Sequence, residues 1–302
     1  MQNARLYKKM NKPLLSICVP SYNRSKEICR LVESIDINKD IELVVCDDGS
    51  TDNTRGALNK YFDKTPITYL YQENGGRGFA LKKAIEMSKG EYVMVMDSDD
   101  YFIPNTLSII CYIISKGWYK SYAFGVKIHK DQEYTDSIPL DVETNYISLK
   151  GDYKIKGDLK EVVRKDVITS CLYSEALSCR RVPTFLIWCC VAEKVNCLSV
   201  SIPVAIKEYL PGGMTDKGFL LRMECSVPMA ELYLRLSHSV SYKSTYYRWL
   251  VRILWARYAL HAKKVRADSL WMKVALLPGF ILYLMDKVLL AGIFLQKIYK
   301  NI

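Results

Sequence analysis

Zinc-type ligand spacing is missing from this sequence. Three histidines lie scattered along 302 residues, and none of the ten cysteines forms a C-x-x-C pair, which excludes the usual structural zinc sites. The cysteines, the adjacent Cys189-Cys190 included, read instead as small buried hydrophobes of a reducing compartment. An apolar run at the N-terminus is also lacking. Met1 to Lys12 is polar and basic, so no secretory signal is expected and the cytoplasm is the expected location. There is no internal repeat and no low-complexity stretch. What is present is ordinary for a globular chain: half the residues are hydrophobic and a quarter are charged, which excludes a disordered tail and a polytopic membrane protein. The length suits one large domain or a core domain with an appendage.

The net charge of +11 is unevenly placed. Tyr242 to Ile302 holds eleven Lys/Arg against two Asp/Glu, a net of +9, which leaves +2 for everything before it. A neutral body with a basic tail is not a uniformly basic nucleic-acid binder, and no nucleic-acid partner is expected. The tail also carries Tyr246, Tyr247, Trp249, Trp255, Tyr258 and Trp271, rings suited to a lipid headgroup region. Val274 to Leu295 is hydrophobic but interrupted by Pro278-Gly279 and Asp286-Lys287. Its longest uncharged run, Val274 to Met285, is shorter than the roughly 20 residues of a spanning helix. With Lys263, Lys264, Arg266, Lys273, Lys297 and Lys300 around it, the expectation is an in-plane anchor on an anionic membrane surface. The competing expectation is a helical hairpin packed on the body or on a second copy of the chain.

Leu14 to Val19, ended by Pro20, has the pattern of a buried parallel strand. Arg24 to Ile35 has helical spacing, and Ile41 to Cys46 is a second buried strand stopped by Asp47-Asp48-Gly49-Ser50. Asp52 or Thr54 can cap the helix that follows. Ile67 to Tyr71 reads as a third strand, Gly75-Gly76-Arg77-Gly78 opens a helix, and Tyr92 to Met96 is a fourth strand running into Asp97. Strands alternating with helices predict an α/β fold with a mostly parallel sheet, whose ligands sit at the carboxyl ends of the strands. Further on, the patterns predict a helix over Leu107 to Ser115, a strand over Tyr122 to His129 and a polar loop from Asp131 to Gly151. They also predict a strand over Glu161 to Val167, a helix over Phe185 to Val195 and a strand over Ala205 to Leu210, with helices only from Leu220 onward.

Three polar clusters fall at strand ends: Pro20 to Arg24, Asp47 to Ser50 and Asp97 to Asp100. Asp97 and Asp99, two apart, can reach one pocket and hold Mg²⁺ or Mn²⁺, cations that prefer oxygen ligands. The plain alternative is an acidic loop that caps the next helix. Asp48 offers a carboxylate to the imide of a nucleobase, or is a turn residue, and Pro20-Ser21-Tyr22-Asn23 offers backbone groups and a ring for stacking on a base. Arg77, at a glycine-rich helix opening, is placed to meet phosphate.

Pro20-Ser21-Tyr22-Asn23, Asp47-Asp48-Gly49-Ser50-Thr51-Asp52-Asn53-Thr54, and Gly90-Glu91-Tyr92 leading to Asp97-Ser98-Asp99-Asp100 closely resemble the family 2 glycosyltransferases with a GT-A, Rossmann-like fold. The match covers about residues 14 to 110 with the motifs in order. The resemblance implies inverting transfer from a nucleoside-diphosphate sugar, UDP-linked by expectation, assisted by Mg²⁺ or Mn²⁺. It assigns the nucleoside to the positions of Pro20, Tyr22 and Asp48, and ribose, diphosphate and metal to Asp97 and Asp99. Asn23, Arg77 and Ser98 complete the expected sugar-nucleotide set.

The second half is similar, more faintly, to bacterial members that build surface polysaccharide such as O-antigen or capsule. Arg181-Val182-Pro183, Ile187-Trp188 and Lys207 to Thr215 match their acceptor-side segment, and this puts Trp188, Tyr209 and Gly213 on the acceptor side. Those relatives carry an acidic general base just after the proline, where Thr184 stands here. Five carboxylates remain as candidates for the base: Asp158, Glu161, Asp166, Glu175 and Glu193, with Glu161 the choice because its strand should border the acceptor cleft. The expected organisation is a glycosyltransferase domain over residues 1–218 and a helical membrane-associating tail over 219–302. The expected acceptor is a polyprenol-linked saccharide at the inner face of the cell membrane. Thr184 keeps open a rival reading, a catalytically silent sugar-nucleotide-binding or scaffold protein.

Overall fold

The structure is a computed structural model that describes residues 12–36, 40–130, 133–137, 140–155, 157–172, 179, 182–208, 218–239 and 245–299. Its first half alternates strictly: β1 (Leu15–Ser21), α1 (Ser25–Glu33), β2 (Ile41–Asp47), α2 (Thr54–Leu58), β3 (Ile67–Tyr71), α3 (Arg77–Met87) and β4 (Tyr92–Val95). β1 pairs in parallel with β2 and β4, and β3 with β2. Every residue of β1 and β2 is buried, because helices cover both faces of the sheet. Successive side chains therefore enter opposite layers. Leu15, Ile17 and Val19 meet Ile28 and Leu31 of α1, while Cys18 meets Ala80, Leu81 and Ala84 of α3.

The second half adds β5 (Tyr101–Phe102), α4 (Thr106–Ser115), β6 (Ser121–Lys130), β7 (Glu133–Ser137), β8 (Val142–Thr144), α5 (Tyr146–Gly151), β9 (Lys160–Arg164), α6 (Lys165–Thr169), α7 (Phe185–Lys194) and β10 (Cys197–Glu208). The sheet order is β3-β2-β1-β4-β9-β6-β10-β5, with β7 on β6 and β8 on β10. β9 runs antiparallel to both β4 and β6, and β10 runs parallel to β6. The sheet is thus parallel through its first four strands and mixed beyond them.

Three expectations for this half are corrected. The stretch expected to be a polar loop, Asp131 to Gly151, contains β7, β8 and α5 among its described residues. Strand pairing rather than an apolar pattern makes β7 and β8, and α5 starts where Asn145 Oδ1 accepts from Ser148 N at 3.0 Å, a cap that outweighs the local polarity. The strand expected over Glu161 to Val167 ends at Arg164, and Lys165 begins α6. The last strand begins at Cys197 rather than Ala205, and its register on β6 shifts around Pro203, which has no N–H to give the ladder.

The rest is helical: α8 (Gly218–Glu224), α9 (Ser226–His238), α10 (Thr245–His261) and α11 (Leu270–Tyr299). The predicted interruption at Pro278-Gly279 does not break α11, which runs through Pro278. Gly279 instead marks a close helix crossing, since a Cβ there would stand 3.1 Å from both Arg257 N and Ile253 O of α10. Asp286, read from sequence as a polar interruption, is 3 % exposed and accepts from Arg257 Nε at 2.7 Å and Nη2 at 2.5 Å. Among the described residues no helix is long and apolar enough to cross a membrane. Eight of the ten cysteines are free thiols, but Cys179 and Cys225 form a disulfide, which corrects the expectation for that pair.

Candidate functional site

The three polar clusters meet where β1, β2 and β4 end, and they are tied together chiefly by side chain to backbone hydrogen bonds. Asn23, in the left-handed region at φ 51°, accepts through Oδ1 from Thr51 N at 2.7 Å and donates its own N–H to Ser50 Oγ at 2.9 Å. Its amide oxygen therefore joins the loop after β1 to the loop after β2. Asp47 accepts from Ser50 N at 2.7 Å and from Tyr69 Oη at 2.6 Å.

Asp48 is buried and both its oxygens are engaged. Oδ1 accepts from Gln72 Nε2 at 2.7 Å and Gly75 N at 2.9 Å, and Oδ2 from Gly76 N at 2.9 Å. It holds the glycine loop that opens α3. Pro20 and Ser21 are buried at the end of β1, while Tyr22, the next residue, is 46 % exposed.

Asp97, the first residue past Met96, lies among cations. Arg77 at the head of α3 donates through Nε to Asp97 Oδ1 at 2.9 Å, with a second bond from Nη2 to the same oxygen. Lys207, next to the last residue of β10, places Nζ 3.7 Å from Asp97 Oδ2 and 2.5 Å from Asp158 Oδ2. Burial opposes the charge of Asp97, but Arg77, Lys207 and Lys160 overcome it and hold the carboxyl well below its usual range. Arg77 thus reaches the site through Asp97, whereas the sequence had suggested phosphate alone. Asp100 is fully buried against Lys160 of β9, with Nζ 2.5 Å from Oδ2. Ser98 is buried between these acids.

Asp99 is the exception in this cluster. Its carboxylate has one long ion pair among the described residues, 4.0 Å to Arg24 Nε, while Arg30 donates to its backbone oxygen at 2.8 Å. Burial first, and then the negative charges of Asp97 and Asp100, push its carboxyl up to about 6. Burial and like charge together outweigh the more distant positive charge of Lys207. No group of three or more His, Cys, Asp or Glu side chains poised for a metal occurs among the described residues. Asp97 and Asp99 are thus two carboxylates at one strand end, the first already engaged by Arg77 and Lys207.

The base candidates separate by position. Glu161 is 7 % exposed within β9, hydrogen-bonded to the Tyr146 hydroxyl, and burial pushes its carboxyl up to about 7. A value near neutrality suits a base, but a base must reach the acceptor hydroxyl, and this side chain lies under α5. Asp166 pairs with Arg164, Glu193 lies 3.7 Å from Arg235, and Glu175 lies outside the described residues. Asp158 has a side chain 54 % exposed beside Lys207. Burial works against its charge, but Lys207 prevails and lowers its pKa.

Thr184 stands at the head of α7 without a side-chain cap bond. Trp188 is buried with its ring 6.0 Å from that of Tyr146, so it packs the core rather than facing an acceptor. Tyr209 and Gly213 lie outside the described residues. Sequence reasoning missed Lys160 and Lys207. Their signal was a charged residue inside or at the end of an otherwise apolar strand, which needs a buried partner.

A mixed sheet with acidic strand ends gathered beside Arg77 and Lys207 defines an α/β protein of the GT-A-like fold. A family model described as Glycosyl transferase family 2 matches residues 16–176, and the chain belongs to that family. It is similar to the chondroitin synthase of Escherichia coli, 40 % identical over 101 residues that make up 32 % of this chain and 15 % of that one. It is also similar to an uncharacterized glycosyltransferase of Rickettsia typhi, 39 % identical over 106 residues, 34 % of this chain and 33 % of that one. The alignments thus span a third or less of the length of these relatives.

Among solved structures, that of S. aureus TarS 1-349 in complex with UDP-GlcNAc has a TM-score of 0.64 at 16 % identity, covering 90 % of this chain and 81 % of that one. The mannosyltransferase PcManGT of Pyrobaculum calidifontis, in complex with GDP-Man and Mn²⁺, has a TM-score of 0.53 at 17 % identity, covering 97 % and 91 %. At these identities the likeness concerns the fold.

Proposed function

We propose that the protein transfers a sugar with inversion from a nucleoside-diphosphate sugar, UDP-linked, to a lipid-linked saccharide in bacterial polysaccharide synthesis. The observation that carries this reading is the placement of Asp97 and Asp99 just past the end of β4, with Arg77 and Lys207 on Asp97 and only a long 4.0 Å ion pair to Arg24 on Asp99 among the described residues. Asp97 and Asp99 would hold Mg²⁺ or Mn²⁺, which when bound neutralises the leaving diphosphate. Arg77 orients Asp97, and Lys207 supplies a fixed positive charge at the same edge. Tyr22 offers its exposed ring to the nucleobase. Asp158 takes the acceptor proton, because it is the exposed carboxylate joined to this cluster by Lys207. The bound UDP-GlcNAc of one structural neighbour and the GDP-Man and Mn²⁺ of another support a nucleoside-diphosphate sugar and a divalent cation.

The test is release of nucleoside diphosphate from UDP-, GDP- and dTDP-sugars, with membrane extract as acceptor source, before and after chelation and Mn²⁺ repletion. Release that needs the metal and falls at least about a hundredfold in Asp99→Asn supports the reading. Release of pyrophosphate, or release indifferent to chelation, overturns it. Thr184 at the head of α7 favours a second reading, a silent sugar-nucleotide-binding protein. Donor-induced thermal stabilisation without turnover on any acceptor would establish that one.

A further inference from the structure

α11 is apolar on both sides, yet among the described residues only one side is packed. Toward α10 it buries Met272 and Ala275 with Asp286. On the opposite side Leu270, Val274, Leu277, Ile281, Leu284 and Val288 are each between 47 % and 74 % exposed. They recur at intervals of three and four, so they form one continuous stripe, and at 1.5 Å per residue it is roughly 27 Å long. Trp271, Phe280, Met285 and Leu289, also exposed, widen it. A face of this size is far beyond the scattered apolar residues of an ordinary surface.

The charges around the stripe have one sign. Lys273 and Lys287 lie along one edge of α11, and Lys263, Lys264 and Arg266 occupy the turn that leads into it; all five are exposed. The exposed acid in this stretch is Asp268, 3.8 Å from Arg266, and the acid of α11 itself, Asp286, is buried. A second copy of the chain would bring a like-charged rim against this one. An anionic lipid surface complements both features: it receives the apolar stripe and attracts the rim, at about 1 kcal/mol per Lys or Arg near the surface.

We propose that the outer face of α11 docks the protein in the plane of an anionic bilayer, with the Leu270–Val288 stripe in the acyl boundary and the lysines at the headgroups. The assignment is independent of the donor chemistry, since lipid binding is read without turnover. If both hold, enzyme and lipid-linked acceptor share one surface.

The full chain is mixed with phosphatidylcholine vesicles, with or without phosphatidylglycerol, at low and high salt, and sedimented. The expected result is binding that requires phosphatidylglycerol and weakens with salt. Leu277→Asp combined with Leu284→Asp should abolish it with an unchanged melting curve, because both residues are exposed. Lys273→Ala combined with Lys287→Ala should weaken it at least about tenfold and serves as the milder variant if the first misfolds. A protein that stays in solution under all conditions overturns the proposal. So does a concentration-dependent dimer, split by Leu277→Asp with Leu284→Asp, that binds neither vesicle; that result would assign the face to a second copy.

Discussion

Lys207 Nζ stands 2.5 Å from Asp158 Oδ2, so the turn before β9 and the carboxyl end of β10 are joined at the edge of the metal-type carboxylates. The same ammonium is 3.7 Å from Asp97. Lys207 lowers the pKa of Asp158 against burial, which weakens it as a base, so its case for the role rests on its exposed position beside Asp97. Asp158→Asn keeps the size and loses the basicity. Turnover should fall about a hundredfold or more, the scale of general-base loss, while the donor-induced thermal shift persists. Turnover near the wild-type value would take the base role from Asp158.

Glu161 gives a prediction on stability instead of rate. Burial raises its carboxyl from 4.5 to about 7, so the folded state favours the neutral form. The stability it contributes is complete below its ordinary value and is lost as pH rises through about 7. The size of the shift corresponds to about 3 kcal/mol between those limits. Denaturant unfolding of wild type should therefore weaken from pH 5 to pH 8, and Glu161→Gln should remove most of that slope. Parallel profiles for the two proteins would contradict the assignment.

The part of the site legible in the sequence is the part made by consecutive residues at a strand end. Asp97 and Asp99 could be read because a buried apolar run leads straight into them, and Arg77 because glycines open its helix. The roles of Asn23 and Asp48 could not, because each is set by hydrogen bonds to a loop more than twenty residues away. A motif also cannot tell a ligand contact from a strut. Lys160 and Glu161 are neighbours that face opposite layers, one onto Asp100 and the other onto Tyr146, and only the register of β9 decides which is which. The sheet's parallel half followed from periodicity. Its mixed half did not, since β7 and β8 owe their form to pairing with β6 and β10.

Gly49 probes the strut role of Asp48. Its φ is 77°, and a Cβ there would stand 2.7 Å from Asn74 N, inside the loop that Asp48 holds. Gly49→Ala meets both the cost of the left-handed region, roughly 1–2 kcal/mol, and a backbone contact that must give way. The melting temperature should fall, and the thermal shift produced by sugar nucleotide should shrink further than the loss of stability alone explains. An unchanged donor shift would mean that this loop does not shape the nucleotide site.

Asp286 tests what holds α11 on α10. It accepts from Arg257 Nε at 2.7 Å and Nη2 at 2.5 Å and lies 3.0 Å from His261 Nε2, all at 3 % exposure. Burial opposes its charge, but Arg257 and His261 prevail and lower its pKa. For a carboxyl lowered on folding, the contribution is present above the ordinary value near 3.8 and is lost as pH falls through the lower folded one. Asp286→Asn leaves Arg257 buried without its counter-charge, a change that costs about 3–5 kcal/mol in such pairs. At neutral pH the variant should unfold at lower denaturant than wild type, and the gap should close as pH falls below about 4. Loosening of α11 uncovers Met272 and Ala275, buried in wild type, so the variant should bind more of an apolar dye than the wild type, whose outer face already binds some. A variant as stable as wild type at neutral pH would show that the helix pair rests on Ala256, Gly279 and Met272 rather than on this carboxylate.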